Sequence, residues 1–116
     1  MSNIIQEKVY NFSLRIVRLT EYLNNDKREF VLSRKILDSG VNISLFVEEA
    51  QQAENKPLSI EKYPVANRES FKVNILLRLL RDSDKITHQK AESLLDDCTE
   101  IHKLLISSLK TARANA

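Results

Sequence analysis

An all-α fold is what this 116-residue chain predicts, and three observations carry that expectation. Turn-formers are scarce, with one glycine and two prolines, whereas a fold of many short strands needs turn chemistry at every connection. Good helix formers, chiefly Leu, Ala, Glu, Lys and Arg, recur throughout. Apolar residues step by fours and threes along four separate segments, the period of one helical face. The length suits a single domain with one core. A 42% hydrophobic and 29% charged composition fits a globular chain and not a disordered one. The expected architecture is one up-down-up-down four-helix bundle, with helices near 3–24, 27–54, 59–82 and 87–113.

The first helix rests on Ile5, Val9, Phe12, Ile16, Leu19 and Leu23. Asn24-Asn25-Asp26 is expected to end it and to cap the next. In the second, Leu32, Ile36, Ser39, Ile43, Phe46, Ala50 and Ala53 keep the rhythm straight through Gly40, the lone glycine. A turn at Gly40 would reset that phase, so Gly40 belongs inside the helix despite a cost of ~1 kcal/mol relative to alanine. With Ser39 and Ser44 it forms a notch of small residues, expected to admit another backbone closely. A phosphate-cradling loop is the weaker reading, since no second glycine is present.

Asn55-Lys56-Pro57 and Ser59 mark the next boundary. The third helix carries Ala66, Glu69, Val73, Leu76 and Leu80 on one face, and Pro64 predicts a kink or irregular turns before about residue 64. Arg81-Asp82-Ser83-Asp84 closes it. Thr87 is a suitable N-cap for the fourth, which lines up Ala91, Leu94, Cys98, Ile101, Leu105 and Ala112 before a tail expected to fray. Further apolar residues fall outside these seams: Leu37, Val41, Leu45 and Val47 in the second helix, and Phe71, Ile75, Leu77 and Leu79 in the third. No helix is enclosed in a bundle of four, so a second apolar side predicts a homo-oligomer with these two helices at the contact.

The opening residues lack the basic start and apolar core of a secretory leader. No run approaches the ~18 apolar residues that a membrane span needs. Cys98 stands alone, so no intrachain disulfide is available. A cytoplasmic protein without a membrane partner is expected.

Catalytic signatures are absent, and no catalytic residue, metal or cofactor is expected. Cys98 and His102 lie one turn apart, but Cys98 falls on the core seam, where a structural thiol is the better reading. His88 and Glu92 share a helical spacing without the further ligands that zinc requires. Adjacent carboxylates, Glu48-Glu49 and Asp96-Asp97, point ~100° apart on a helix and do not converge on one atom. Glu69 sits on an apolar seam and calls for an Arg or Lys from another helix. Net charge is only +2, yet residues 55–86 hold the basic excess. Lys62, Arg68, Lys72, Arg78 and Arg81 are therefore the candidate nucleic-acid contacts, although Arg78 points roughly 80° from Arg68.

The order and spacing of several segments resemble the four helix bundle protein family, also known as the intervening-sequence proteins of bacterial large-subunit ribosomal RNA genes. The residues concerned are Ser39-Gly40, Glu49-Ala50, Ala53, Lys62, Ala66, Arg68-Glu69, Leu76 to Leu80, Ile86-Thr87 and Glu100-Ile101 with Leu104-Leu105. Pro64 and Ile75-Leu76 depart from the family pattern. The resemblance implies a non-enzymatic bundle assembled as a ring, commonly a pentamer. RNA or a ribonucleoprotein is then the expected partner, and a protein-only interaction module is the alternative.

Overall fold

The computed structural model describes residues 4–52 and 56–115. It contains helices α1 (Ile4–Asn25), α2 (Val31–Gln52), α3 (Lys56–Asp82) and α4 (His88–Ala114), and no strand occurs among the described residues. The expected start at residue 3, the seam position Ala53, the helix end at residue 54 and Asn55 lie outside the described residues. Each helix packs on the next, and α4 returns to α1 through a thinner seam. The body is 46 × 23 × 19 Å, its long axis close to the ~40 Å length of a 27-residue helix.

All six seam residues of α1 and all six of α4 are buried. Both helices carry further apolar residues beside these positions, Ile4, Val17, Leu95, Leu104 and Ile106 among them, but those stay exposed or only partly buried, so the four-three rhythm picked the inward side. In α2 the seam differs at two steps. Leu32 is only partly buried while Ser33 beside it is buried. Val47, not Phe46, enters the core. Val47 shares Gly40's side of the helix, toward α1, while Phe46 covers the rim beside α3 with the Lys62 ammonium 5.6 Å from its ring centroid. In α3, Ala66, Glu69, Val73, Leu76 and Leu80 are buried as the seam requires. Leu77, expected on the outer side, is fully buried as well, because α3 packs against both α2 and α4.

Helix ends show where local chemistry overruled the expected boundaries. The helix α1 runs through Asn25, and α2 starts at Val31 instead of near 27. Arg28 has φ 54°, a left-handed conformation that no helix can continue through. Glu29, not the Asn24–Asp26 run, then supplies the cap, its carboxylate accepting the Ser33 N–H at 2.9 Å. The α3 helix begins at Lys56 and passes through Pro64, so regular helical turns replace the irregular ones expected before it. Pro64 lies on the exposed side of the helix. After α3, Asp84 adopts φ 61° while Lys85 N–H reaches the Leu80 carbonyl at 2.9 Å and Asp84 N–H the Arg81 carbonyl at 3.1 Å. That pair of bonds is a Schellman termination with aspartate in the place usually held by glycine. Thr87 caps α4, accepting the Lys90 N–H at 3.1 Å, and the last turns stay helical to Ala114.

Candidate interaction surface on the third helix

The notch of small residues in α2 splits between two neighbours. Gly40 and Ser44 face α1: the Ser13 hydroxyl donates to the Gly40 carbonyl at 2.6 Å and also lies 2.6 Å from the Ser44 hydroxyl. Ser44 Oγ also lies 3.4 Å from the Val9 carbonyl, a second tie to α1. A β-carbon on Gly40 would stand 2.8 Å from Ile16 Cγ2. Gly40 has no positive φ, so the need for glycine here is steric. Ser39 turns the other way, to the Glu69 carboxylate on α3.

Glu69 is buried, with Asn42 Nδ2 donating at 3.1 Å and Lys72 Nζ at 2.8 Å. The cationic partner comes from its own helix three residues on, which corrects the expectation of a partner from another helix. Burial works against the charge, but hydrogen bonds from Lys72 and Asn42, the Lys72 charge and Ser39 together outweigh it and hold the carboxyl below its usual value.

Of the five candidate basic residues, three are occupied by carboxylates. Lys62 pairs with Glu49 at 3.0 Å, Lys72 with Glu69, and Arg81 with both Asp82 and Glu92. Arg78 bonds only the neutral Asn74 side chain, at 2.9 Å. Arg68 has no hydrogen-bond or ion-pair partner among the described residues. Arg68 and Arg78 share the outer face of α3 with Phe71, Ile75 and Leu79, which are 55%, 48% and 50% exposed. Beside this ridge, between α2 and α3, runs an open groove of about 660 Å³ lined by Lys35, Asp38, Asn42, Arg68, Phe71 and Ile75 among others. A smaller hollow of about 260 Å³ lies on its α4 side, bounded by Tyr63, Leu105 and Ile106. Apolar residues thus repeat at every turn of this face beside two arginines that make no salt bridge among the described residues.

The other candidate groups are engaged elsewhere. Cys98 donates to the Ser70 carbonyl at 3.3 Å, and burial, with the nearby Asp97 charge, pushes its thiol up to about 11. His102 instead meets Asn67 Oδ1 at 2.6 Å and lies against Phe71 at 4.6 Å between centroids. Glu48 accepts from Gln6 and Glu49 from Lys62, so the adjacent carboxylates diverge. Asp97 takes Arg15 at 2.5 Å while Asp96 is exposed. Among the described residues no three His, Cys, Asp or Glu side chains gather where a metal ion could sit. Sequence reasoning missed Ser13, Asn42 and Asn67. Ser13 did leave a signal, a small polar residue adjoining Phe12 on a helix that becomes tightly packed.

A model of the 23S rRNA-intervening sequence protein family matches residues 1–107. The crystal structure of a protein of unknown function from the S23 ribosomal protein family, from Bacteroides thetaiotaomicron, is similar at 40% sequence identity and a TM-score of 0.91. The match covers 93% of this chain and 96% of that one. No curated protein matches the chain.

Proposed function

The chain belongs to the 23S rRNA-intervening sequence protein family, and on that premise we propose that it is a non-catalytic, self-associating scaffold that binds RNA in the cytoplasm. The observation that carries this reading is the outer face of α3, where Phe71, Ile75 and Leu79 lie exposed beside Arg68 and Arg78, neither of which forms a salt bridge among the described residues. Contiguous apolar surface of this kind is what an assembly interface buries. An up-down-up-down course is part of the proposal, and side-chain pairs support it. Partner numbers fall as the first rises: Gln6–Glu48 then Ser13–Ser44, Asn42–Glu69 then Glu49–Lys62, and Lys8–Glu100 then Arg15–Asp97. The same holds for Asn67–His102 and Arg81–Glu92. Copies joined in a closed ring, five by the family resemblance, repeat the arginines around the axis and so concentrate positive charge. No helix among the described residues is long and apolar enough to cross a membrane.

Light scattering tests the assembly. The wild type should be an oligomer at micromolar concentration, and Ile75→Glu a folded, smaller species. A wild-type monomer sinks the scaffold. Salt-dependent binding to structured RNA tests the partner, with Arg68→Glu and Arg78→Glu together weakening it. Lys72→Glu is a poor probe, because it strips buried Glu69 of its cation. One observation favours the second reading, a protein-only interaction module: Lys62, Lys72 and Arg81 are already neutralised within the chain. Absence of RNA and DNA binding at low salt would leave that reading standing.

A further inference from the structure

At the other side of the bundle, Arg18, Leu19 and Tyr22 of α1 meet Ile86, Thr87 and Lys90 at the start of α4 around a cleft of about 300 Å³. The volume is at the lower end of the range for small-molecule sites, about 300–1,000 Å³. Its composition is selective. Leu19 and Ile86 are buried and form an apolar floor, and Tyr22 offers a ring that is 38% exposed. None of the six lining residues is acidic. Arg18 and Lys90 have no side-chain ion-pair partner among the described residues, whereas Lys8, Arg15, Lys62, Lys72 and Arg81 are each paired. Thr87 accepts the Lys90 N–H through its hydroxyl oxygen, which leaves its own proton to donate into the cleft.

An aromatic face over an apolar floor, two cations and one hydroxyl donor match a group that is flat at one end and anionic at the other. We propose that this cleft binds a nucleotide unit. The base stacks on Tyr22 above Leu19 and Ile86, and the phosphate lies between the Arg18 guanidinium and the Lys90 ammonium, with the Thr87 hydroxyl donating to it or to the ribose. Stacking tolerates any base, since every base has a π face, so the site selects nucleotides as a class. The unit comes either from a single strand crossing the cleft or from a free nucleotide. No residue of the outer face of α3 takes part, so this site stands or falls separately from the scaffold reading.

The test is amide NMR on the full chain, titrated separately with adenosine monophosphate, single-stranded oligoadenylate and inorganic phosphate. Oligoadenylate should shift the amides of Arg18–Tyr22 and Ile86–Lys90. If adenosine monophosphate does so equally well the ligand is a free nucleotide, and if only the oligomer does so it is a strand. Tyr22→Ala should weaken binding about tenfold and Tyr22→Phe should retain it. Arg18→Gln with Lys90→Gln should weaken binding and flatten its salt dependence. Circular dichroism checks that each variant is folded. Two results overturn the proposal: no shift at these amides at millimolar ligand, or inorganic phosphate reproducing the shifts with no effect of Tyr22→Ala. RNA binding lost in the Arg68→Glu, Arg78→Glu protein but untouched by the cleft variants, with adenosine monophosphate also shifting none of these amides, would overturn it as well and would leave the α3 reading intact.

Discussion

Replacing Gly40 by alanine adds a single methyl group to the middle of α2, and two effects of known size then compete. On an open helix face the change should stabilise by ~1 kcal/mol, the difference in helix propensity. Here the new β-carbon stands 2.8 Å from Ile16 Cγ2, 3.0 Å from its Cβ and 3.2 Å from Cγ1, all inside the 3.4 Å at which ordinary contact begins. Ile16 is fully buried, and its Cβ is tied to the α1 backbone, so no rotamer change moves that atom away. The α1 helix has to retreat. Overpacking of this kind costs about 1–3 kcal/mol. A retreat also stretches the bond from Ser13 to the Gly40 carbonyl, worth ~1 kcal/mol. The net expectation is a loss of about 1–2 kcal/mol, or a melting temperature lower by about 4–8 °C. Urea unfolding followed by circular dichroism reads it. Ile16→Ala removes Cγ1 and Cγ2, so although it costs about 2–5 kcal/mol alone, the double variant should lose at least ~1 kcal/mol less than the two singles combined. Gly40→Leu should abolish stable folding. A Gly40→Ala protein more stable than wild type, or a coupling of zero with Ile16→Ala, would show that the two helices do not meet as described.

Three further outcomes follow from individual side chains. Glu69 is held below its usual carboxyl value, so its contribution is present above the unfolded-state value and is lost as pH falls through the lower folded one. Lys72→Met should therefore cost ~1–2 kcal/mol near neutrality, the cation being half exposed, and should flatten the acid limb of the stability curve. An unchanged curve would contradict this. Cys98, with its thiol pushed up to about 11, should react with iodoacetamide at pH 8 only at the rate of unfolding; rapid labelling of the native protein would place it at the surface. Asp84→Gly should stabilise by ~1 kcal/mol, because glycine takes the left-handed conformation at the end of α3 without strain, and thermal melting would detect a shift of the wrong sign.

The seams of α1 and α4 were legible because the four-three rhythm held there even beside rivals such as Val17, Leu95 and Leu104. In α2 and α3 the same rhythm did not settle every adjacent apolar pair. Phe46 and Val47, like Leu76 and Leu77, differ by ~100° around the helix, and either can face inward until the neighbours are placed. Val47 won because its side of α2 faces α1; Leu76 and Leu77 are both covered because α3 has a neighbour on each flank. Helix ends misled for a different reason. The Asn24–Asp26 run is good capping chemistry, but Arg28 in a left-handed conformation delays the next helix, and Glu29 reaches its first turn instead. Of the candidate surface, sequence identified the five basic residues but not their state, since Glu49 and Glu92 lie on other helices.

By itself, then, the sequence determined the all-helical class, the presence of four helices, the faces of α1 and α4, and a glycine held inside a helix. These depend on local propensity and on a 3.6-residue period, both of which are written along the chain. Only the tertiary structure decided that Gly40 and Ser39 serve opposite neighbours, that Glu69 keeps its cation on its own helix, and that Arg68 and Arg78 form no salt bridge among the described residues while Lys62, Lys72 and Arg81 do. Those outcomes turn on which side chain of a different helix comes within about 3 Å, a distance fixed by how the helices rotate and slide when they pack.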